Sequence, residues 1–184
     1  MKATQNPALI CFAVAAWAVS SHAQTRTDFE QTCAKLAATA GDDAGRLHQL
    51  FQLSWDHGLA DSPESATEAG FPGFDDRWTD VSLDAIARRQ REIQAPLNVI
   101  ASISRAALTP ADQLNYDLFQ RDLDLANEGT RFKSEYLAIS QMGGVQQQVP
   151  ETLDISPRAS VQDYQNITGF AIHGKYFTCA NKCN

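Results

Sequence analysis

Four histidines, four cysteines and one adjacent glycine pair are the first residues to weigh for chemistry in this 184-residue chain. His48 and His57 lie nine positions apart, so on one helix they point to opposite sides. Two imidazoles placed that way cannot grip one ion, and His173 has no partner in sequence. Cys179-x-x-x-Cys183 lacks the two-residue spacing of a zinc knuckle and has no second half-site. Ser, His and Asp are present without a setting that would activate a nucleophile. The residue types therefore predict no catalytic group and no metal ligand within this chain.

Two weaker constellations remain. Gln141-Met142-Gly143-Gly144 is a loop whose glycines permit positive φ and close backbone approach. Gln141, Gly143 and Gly144 could present backbone groups to an extended peptide, and a plain turn is the alternative. Asn115 and Asp122 are seven residues apart and nearly in line on a helix. They fall between two apolar stripes, one of Ala111, Leu114, Leu118 and Leu125, the other of Tyr116, Phe119, Leu123 and Ala126. That position predicts a buried polar seam, satisfied by backbone or an Arg, or lining a cleft.

The helix that carries the seam has the clearest start in the chain. Thr109 caps it, Pro110 takes its first position, and Asp112 faces the positive end of its dipole. The pattern predicts a helix from Pro110 to about Lys133 packed on two sides. Upstream, residues 24–41 read as a mobile lead with room for a short helix over 29–38. Gly41-Asp42-Asp43 supplies a break and a cap. A helix over 44–58 follows, with Leu47, Leu50, Phe51 and Ser54 on one face and Gly58 as its stop. Ser62-Pro63 starts a short helix that Gly70 ends, and the aromatic loop 71–78 comes next.

Ser82 caps a helix over about 83–104. Its stripe is Leu83, Ile86, Ile93, Leu97 and Ile100, and Pro96 should kink or split it near Gln94-Ala95. Arg88, Arg89 and Arg91 read as a solvated face. Residues 132–139 are ambiguous, 145–150 suggest a short extended piece, and Ser160 caps a last helix that Thr168-Gly169 interrupts.

Composition narrows the partners. The formal charge is −7, with 43% hydrophobic and 20% charged residues. That balance fits one globular domain and argues against nucleic acid or an anionic membrane surface, which need clustered Lys and Arg. Residues 1–23 have the form of a secretory signal. Lys2 precedes an apolar run over 8–19, and Ser21-His22-Ala23 sets cleavage after Ala23. Cleavage removes Lys2, Cys11 and no acid, leaving a charge of −8, three cysteines and no stable membrane anchor. The expected location is secreted or periplasmic.

The stretch over 50–166 resembles the bacterial family DUF885, whose members are several times longer. The resemblance rests on Ser62-Pro63-Glu64, Asp75-Asp76-Arg77 and the run Ala107-Leu108-Thr109-Pro110-Ala111-Asp112-Gln113-Leu114-Asn115-Tyr116-Asp117-Leu118. Gln141-Met142-Gly143-Gly144, Val149-Pro150 and Ser160-Val161-Gln162-Asp163-Tyr164 follow in order. It implies a mainly α protein, an irregular helical array that is incomplete here relative to the larger family fold. It also implies a metallopeptidase-like activity on peptide substrates. Zinc is then expected for the full-length family, held by a downstream His-Glu-x-x-His helix. This chain has no such motif, so no cofactor is expected in it.

The domain reading is a signal peptide over 1–23, the lead over 24–41, a DUF885-like helical region over 42–166 and a divergent tail over 167–184. The leading expectation is an N-terminal fragment of a secreted zinc metallopeptidase-like protein, inactive alone and prone to self-association through exposed apolar surface. The alternatives are a stand-alone periplasmic helical binding module and a non-functional remnant.

Overall fold

The computed structural model describes residues 26–137, 139–141 and 143–173, and these are mainly α-helical. The signal segment, Cys179 and Cys183 lie outside the described residues. Helix α1 spans Asp28–Ala38 and opens with a reciprocal cap. The Glu30 N–H donates to Thr27 Oγ1 at 3.3 Å, and the Thr27 N–H donates to Glu30 Oε2 at 2.7 Å. Two otherwise orphaned donors are satisfied at once. Gly41 turns the chain at φ 111°, a value L side chains rarely adopt. Asp42 then caps α2, Asp43–Asp61, by accepting from the Gly45 N–H at 3.0 Å.

Helix α2 does not stop at Gly58, as the sequence suggests. It continues one more turn, and the Ser62 N–H donates to the Gly58 carbonyl at 2.9 Å. Glycine inside a helix costs about 1 kcal/mol relative to alanine. The ion pair that Asp61, in that extra turn, makes with Arg88 offsets this cost. Helix α3, Pro63–Glu68, starts immediately, with Pro63 at its first position. The Ser62 hydroxyl pairs with the Ser65 hydroxyl at 2.9 Å instead of capping a backbone N–H.

The expected kink is present. Helix α4 spans Leu83–Glu92, Ile93 forms the joint, and α5 spans Gln94–Ala101. Pro96 lacks an N–H and so cannot bond the carbonyl four residues back. The buried face carries on across the joint through Ala85, Glu92, Pro96, Val99 and Ile100 and leaves Leu83 outside it. Leu83, assigned to the inner stripe by a continuous helix, is 67% exposed, while Val99 and Ile100 are fully inside.

Helix α6 spans Pro110–Gly129, with the Thr109 hydroxyl accepting from the Asp112 N–H as expected. A short turn over Ser134–Leu137 leads to a minimal hairpin in which β1, Ile139–Ser140, pairs antiparallel with β2, Gly143–Gly144. Gly144 sits at φ 139° and starts α7, Val145–Ile155. The extended piece expected over 145–150 is therefore helical, with Pro150 tolerated inside on an exposed face. Helix α8, Val161–His173, begins at the expected Ser160 cap and continues through Thr168-Gly169, where the sequence predicts a break.

The core gathers Cys33 and Leu36 from α1, Leu47 and Leu50 from α2, Val99 and Ile100 from α5, and Tyr116 from α6, with Ile103 and Leu108 between. Helix α1 makes its most extensive contact with α5. Part of the stretch expected as a mobile lead is thus a wall of the core. Its burial signal is short, resting chiefly on Cys33 and Leu36, and the sequence pattern understates it.

Arg46 fastens these helices. It is 6% exposed, and its guanidinium donates to the carbonyls of Leu36, Ala37 and Ser102, to the Ser102 hydroxyl and to Asp43. Those carbonyls end α1 and follow α5, where helix ends leave acceptors unsatisfied and carry partial negative charge. Asp43 Oδ2 accepts from the Ser104 N–H at 3.1 Å, closing the link from the other side. Removing one partner of a buried charge network costs about 3–5 kcal/mol. Arg46→Ala is expected to lose about that much in urea unfolding, at least as much as Leu50→Ala at about 2–5 kcal/mol. A loss below about 1 kcal/mol contradicts this role for Arg46.

Cys33 is 1% exposed and free, and burial, helped by Glu30 and Glu92, pushes its thiol up to about 11. The thiolate is the reactive form. Alkylation at pH 8, followed by peptide mapping, should therefore modify Cys33 about 100-fold more slowly in the folded than in the unfolded chain. Equal rates contradict this packing.

Candidate functional site

Two residue pairs, each one turn apart, face each other across α2 and α4. His57 and Asp61 come from the last turns of α2, and Arg88 and Glu92 come from the second half of α4. The i,i+4 spacing puts each pair on one helix face. Glu92 is 3% exposed and is the hub. Its Oε2 accepts from Arg88 Nη1 at 2.7 Å and lies 3.1 Å from His57 Nε2. Arg88 also pairs with Asp61 Oδ1, so one guanidinium bridges both carboxylates. Burial works against the charged Arg88, but its pairing with Asp61 and Glu92 outweighs this and raises its pKa further.

The surroundings fix this cluster. The Phe29 ring stacks on the His57 imidazole with centroids 3.9 Å apart and planes 8° from parallel. Thr79 Oγ1 donates to the Asp61 carbonyl, and the Thr79 N–H donates to Glu64, so the aromatic loop is tied to the same corner. Arg89 donates to the Asp80 carbonyl at 2.8 Å. The basic cluster over 88–91, expected to be a solvated face, is thus partly built into the fold. Above the charges opens a mainly apolar cleft of about 460 Å³, with Phe29, Ile93, Pro96, Phe119 and Leu123 among its walls. Two residues lining this cleft hold a buried polar atom without a hydrogen-bond partner, Glu92 at Oε1 and Ser54 at Oγ. Such an atom is uncommon in a folded protein.

The two sequence-derived constellations fare differently. Asn115 and Asp122 are exposed, as are Leu114, Leu118 and Leu125 at 60%, 53% and 56%. Within the described residues, no buried seam forms. Only the stripe of Tyr116, Phe119 and Leu123 turns inward, and the Tyr116 hydroxyl donates to the Ile100 carbonyl at 3.1 Å. Gln141 is exposed at the hairpin turn, and its carbonyl accepts from Gln147 Nε2 at 3.2 Å. Gly143 and Gly144 are half-buried in β2. Neither set meets the α2–α4 cluster.

His48 and His57 do not combine. His48 Nε2 lies 2.8 Å from Asp112 Oδ1 at the start of α6, and this bond with the Thr109 hydroxyl holds Asp112 below the usual carboxylate range. Sequence reading missed the bridge from Asp61 through Arg88 to Glu92 for two reasons. It ended α2 at Gly58, before Asp61, and it read Arg88 as part of a solvated face. The signal was the double i,i+4 pattern of His57/Asp61 and Arg88/Glu92.

The described residues define a helical domain with a buried ionic corner under an apolar cleft. The sequence profile of the family described as "Bacterial protein of unknown function (DUF885)" matches residues 63–171. The chain belongs to that family. The match reaches past residue 166, taking in most of α8. No curated protein sequence and no solved structure matches the chain. The 184 residues contain no His-Glu-x-x-His pattern.

The ion pairs set a stability expectation. Arg88→Met leaves two carboxylates unneutralised. Because the Arg88 side chain is 28% exposed, solvent screening brings the loss down to about 2 kcal/mol. Adding Glu92→Gln should make the double variant lose less than the sum of the single losses in urea unfolding. Simple additivity argues against coupling.

Proposed function

We propose that this chain is the front, non-catalytic portion of a secreted metallopeptidase-like protein, and that the outer face of α6 seats the part that carries the metal. The observation behind this reading is the exposure of Leu114, Leu118 and Leu125 along one line of a helix already packed on its other side. A row of large apolar side chains left in water marks a surface meant to be covered. DUF885 membership over residues 63–171 and the secretory form of residues 1–23 are consistent with it. In this reading the hairpin of Gln141, Gly143 and Gly144 is a cleft wall that offers backbone groups to an extended peptide. Zinc belongs to the covering part. Among the described residues no helix is long and apolar enough to cross a membrane.

A second reading, a periplasmic binding module, draws on Trp55 and Phe71. They are 52% and 39% exposed and meet edge to face at 5.8 Å. Aromatics so placed suit a partner surface.

Size-exclusion chromatography of residues 24–184 tests both. Self-association is expected, with Leu114→Lys and Leu118→Lys together restoring the monomer. No zinc-dependent peptide cleavage should be detectable. A stable wild-type monomer that captures a specific partner supports the binding module. Zinc-dependent cleavage by this chain alone overturns the non-catalytic assignment.

A further inference from the structure

The structure assigns a divalent-cation site to His57, Asp61 and Glu92, and we propose zinc or a similar borderline transition-metal ion as its occupant. This is separate from the function proposed above and from the absent His-Glu-x-x-His pattern. It runs against the expectation that the chain holds no metal ligand.

The three side chains offer one imidazole nitrogen and two carboxylate oxygens, all within 4.8 Å of one another. Ligand atoms around one tetrahedral zinc lie roughly 3.4 Å apart. His57 and Asp61 approach from α2 and Glu92 from α4, so the ion would be held between two helices, with cleft water as the remaining ligand.

Glu92 gives the independent sign of a missing cation. Its Oε1 is buried without a hydrogen-bond partner, while its Oε2 is taken by Arg88 and His57. Leaving a buried carboxylate oxygen unbonded costs free energy that a bound cation would recover. Asp61 and Glu92 outnumber Arg88 by one, so their carboxylates keep a residual negative charge that attracts a cation. Arg88 holds Asp61 Oδ1 and Glu92 Oε2 and is 28% exposed, so it can remain behind the carboxylates or turn outward when the ion enters. The Phe29 stack fixes the His57 ring plane, which orients its nitrogens before any ion binds.

Cobalt(II) added to the metal-free full-length chain provides the test, because its visible spectrum separates nitrogen–oxygen ligation from thiolate ligation at the cysteines. The expected result is one equivalent bound with no thiolate charge-transfer band. Competing zinc should displace it, and the thermal midpoint should rise. Asp61→Asn, a change at a side chain 21% exposed, should weaken binding roughly 100-fold while the helical circular dichroism stays unchanged. Glu92→Gln should do the same where it folds. The proposal is overturned if no cobalt binds, if the spectrum shows thiolate ligation, or if folded Asp61→Asn binds as tightly as the parent.

Discussion

A single buried cation sets the arrangement of the first half of this fold. Arg46 lies where the end of α1 meets the turn that follows α5, and its donors are spent on Leu36, Ala37, Ser102 and Asp43. A guanidinium is costly to bury unless nearly every N–H finds an acceptor. Here the acceptors are mostly helix-end carbonyls, which would otherwise be orphaned inside the protein. Two costs cancel each other, and the cancellation holds only if α1, α2 and α5 converge at one point. The apolar core of Leu47, Leu50, Val99 and Ile100 supplies most of the driving force. Arg46 supplies the register.

The α2–α4 corner uses the same residue type to different effect. Arg88 neutralises two side-chain carboxylates and is partly open to solvent, whereas Arg46 satisfies backbone and is closed in. The first arrangement leaves an acceptor over, at Glu92 Oε1. The second leaves no guanidinium nitrogen idle.

Much of the helical outline was legible in the sequence because local chemistry wrote it. Thr109-Pro110, Asp42, Ser82 and Ser160 each mark a helix start, and Pro96 marks the α4–α5 joint. What stayed hidden depends on distance in sequence. Nothing local says that Arg46 will find Ser102, or that Glu92 will find His57, 35 residues earlier. The double stripe on α6 was visible, but periodicity cannot tell whether a partner for each stripe is present, and only the Tyr116 side is covered. Gly58 misled because a glycine that ends many helices is carried through here, with His57 held to Glu92 on one side of it and Asp61 to Arg88 on the other. The hairpin at Ser140 and Gly143 was visible only as a turn, since two paired residues per strand leave no alternation to detect.

The joint at Ile93 separates two mechanical tasks. Pro96 has no N–H, so the backbone carbonyl left without its ladder bond belongs to Glu92, the same residue whose side chain anchors the ionic corner. Helix α5 is clamped in the core, while α4 meets it through a bend relieved of one hydrogen bond. Glu92 thus carries both a backbone acceptor outside the helix ladder and the buried carboxylate that meets Arg88 and His57.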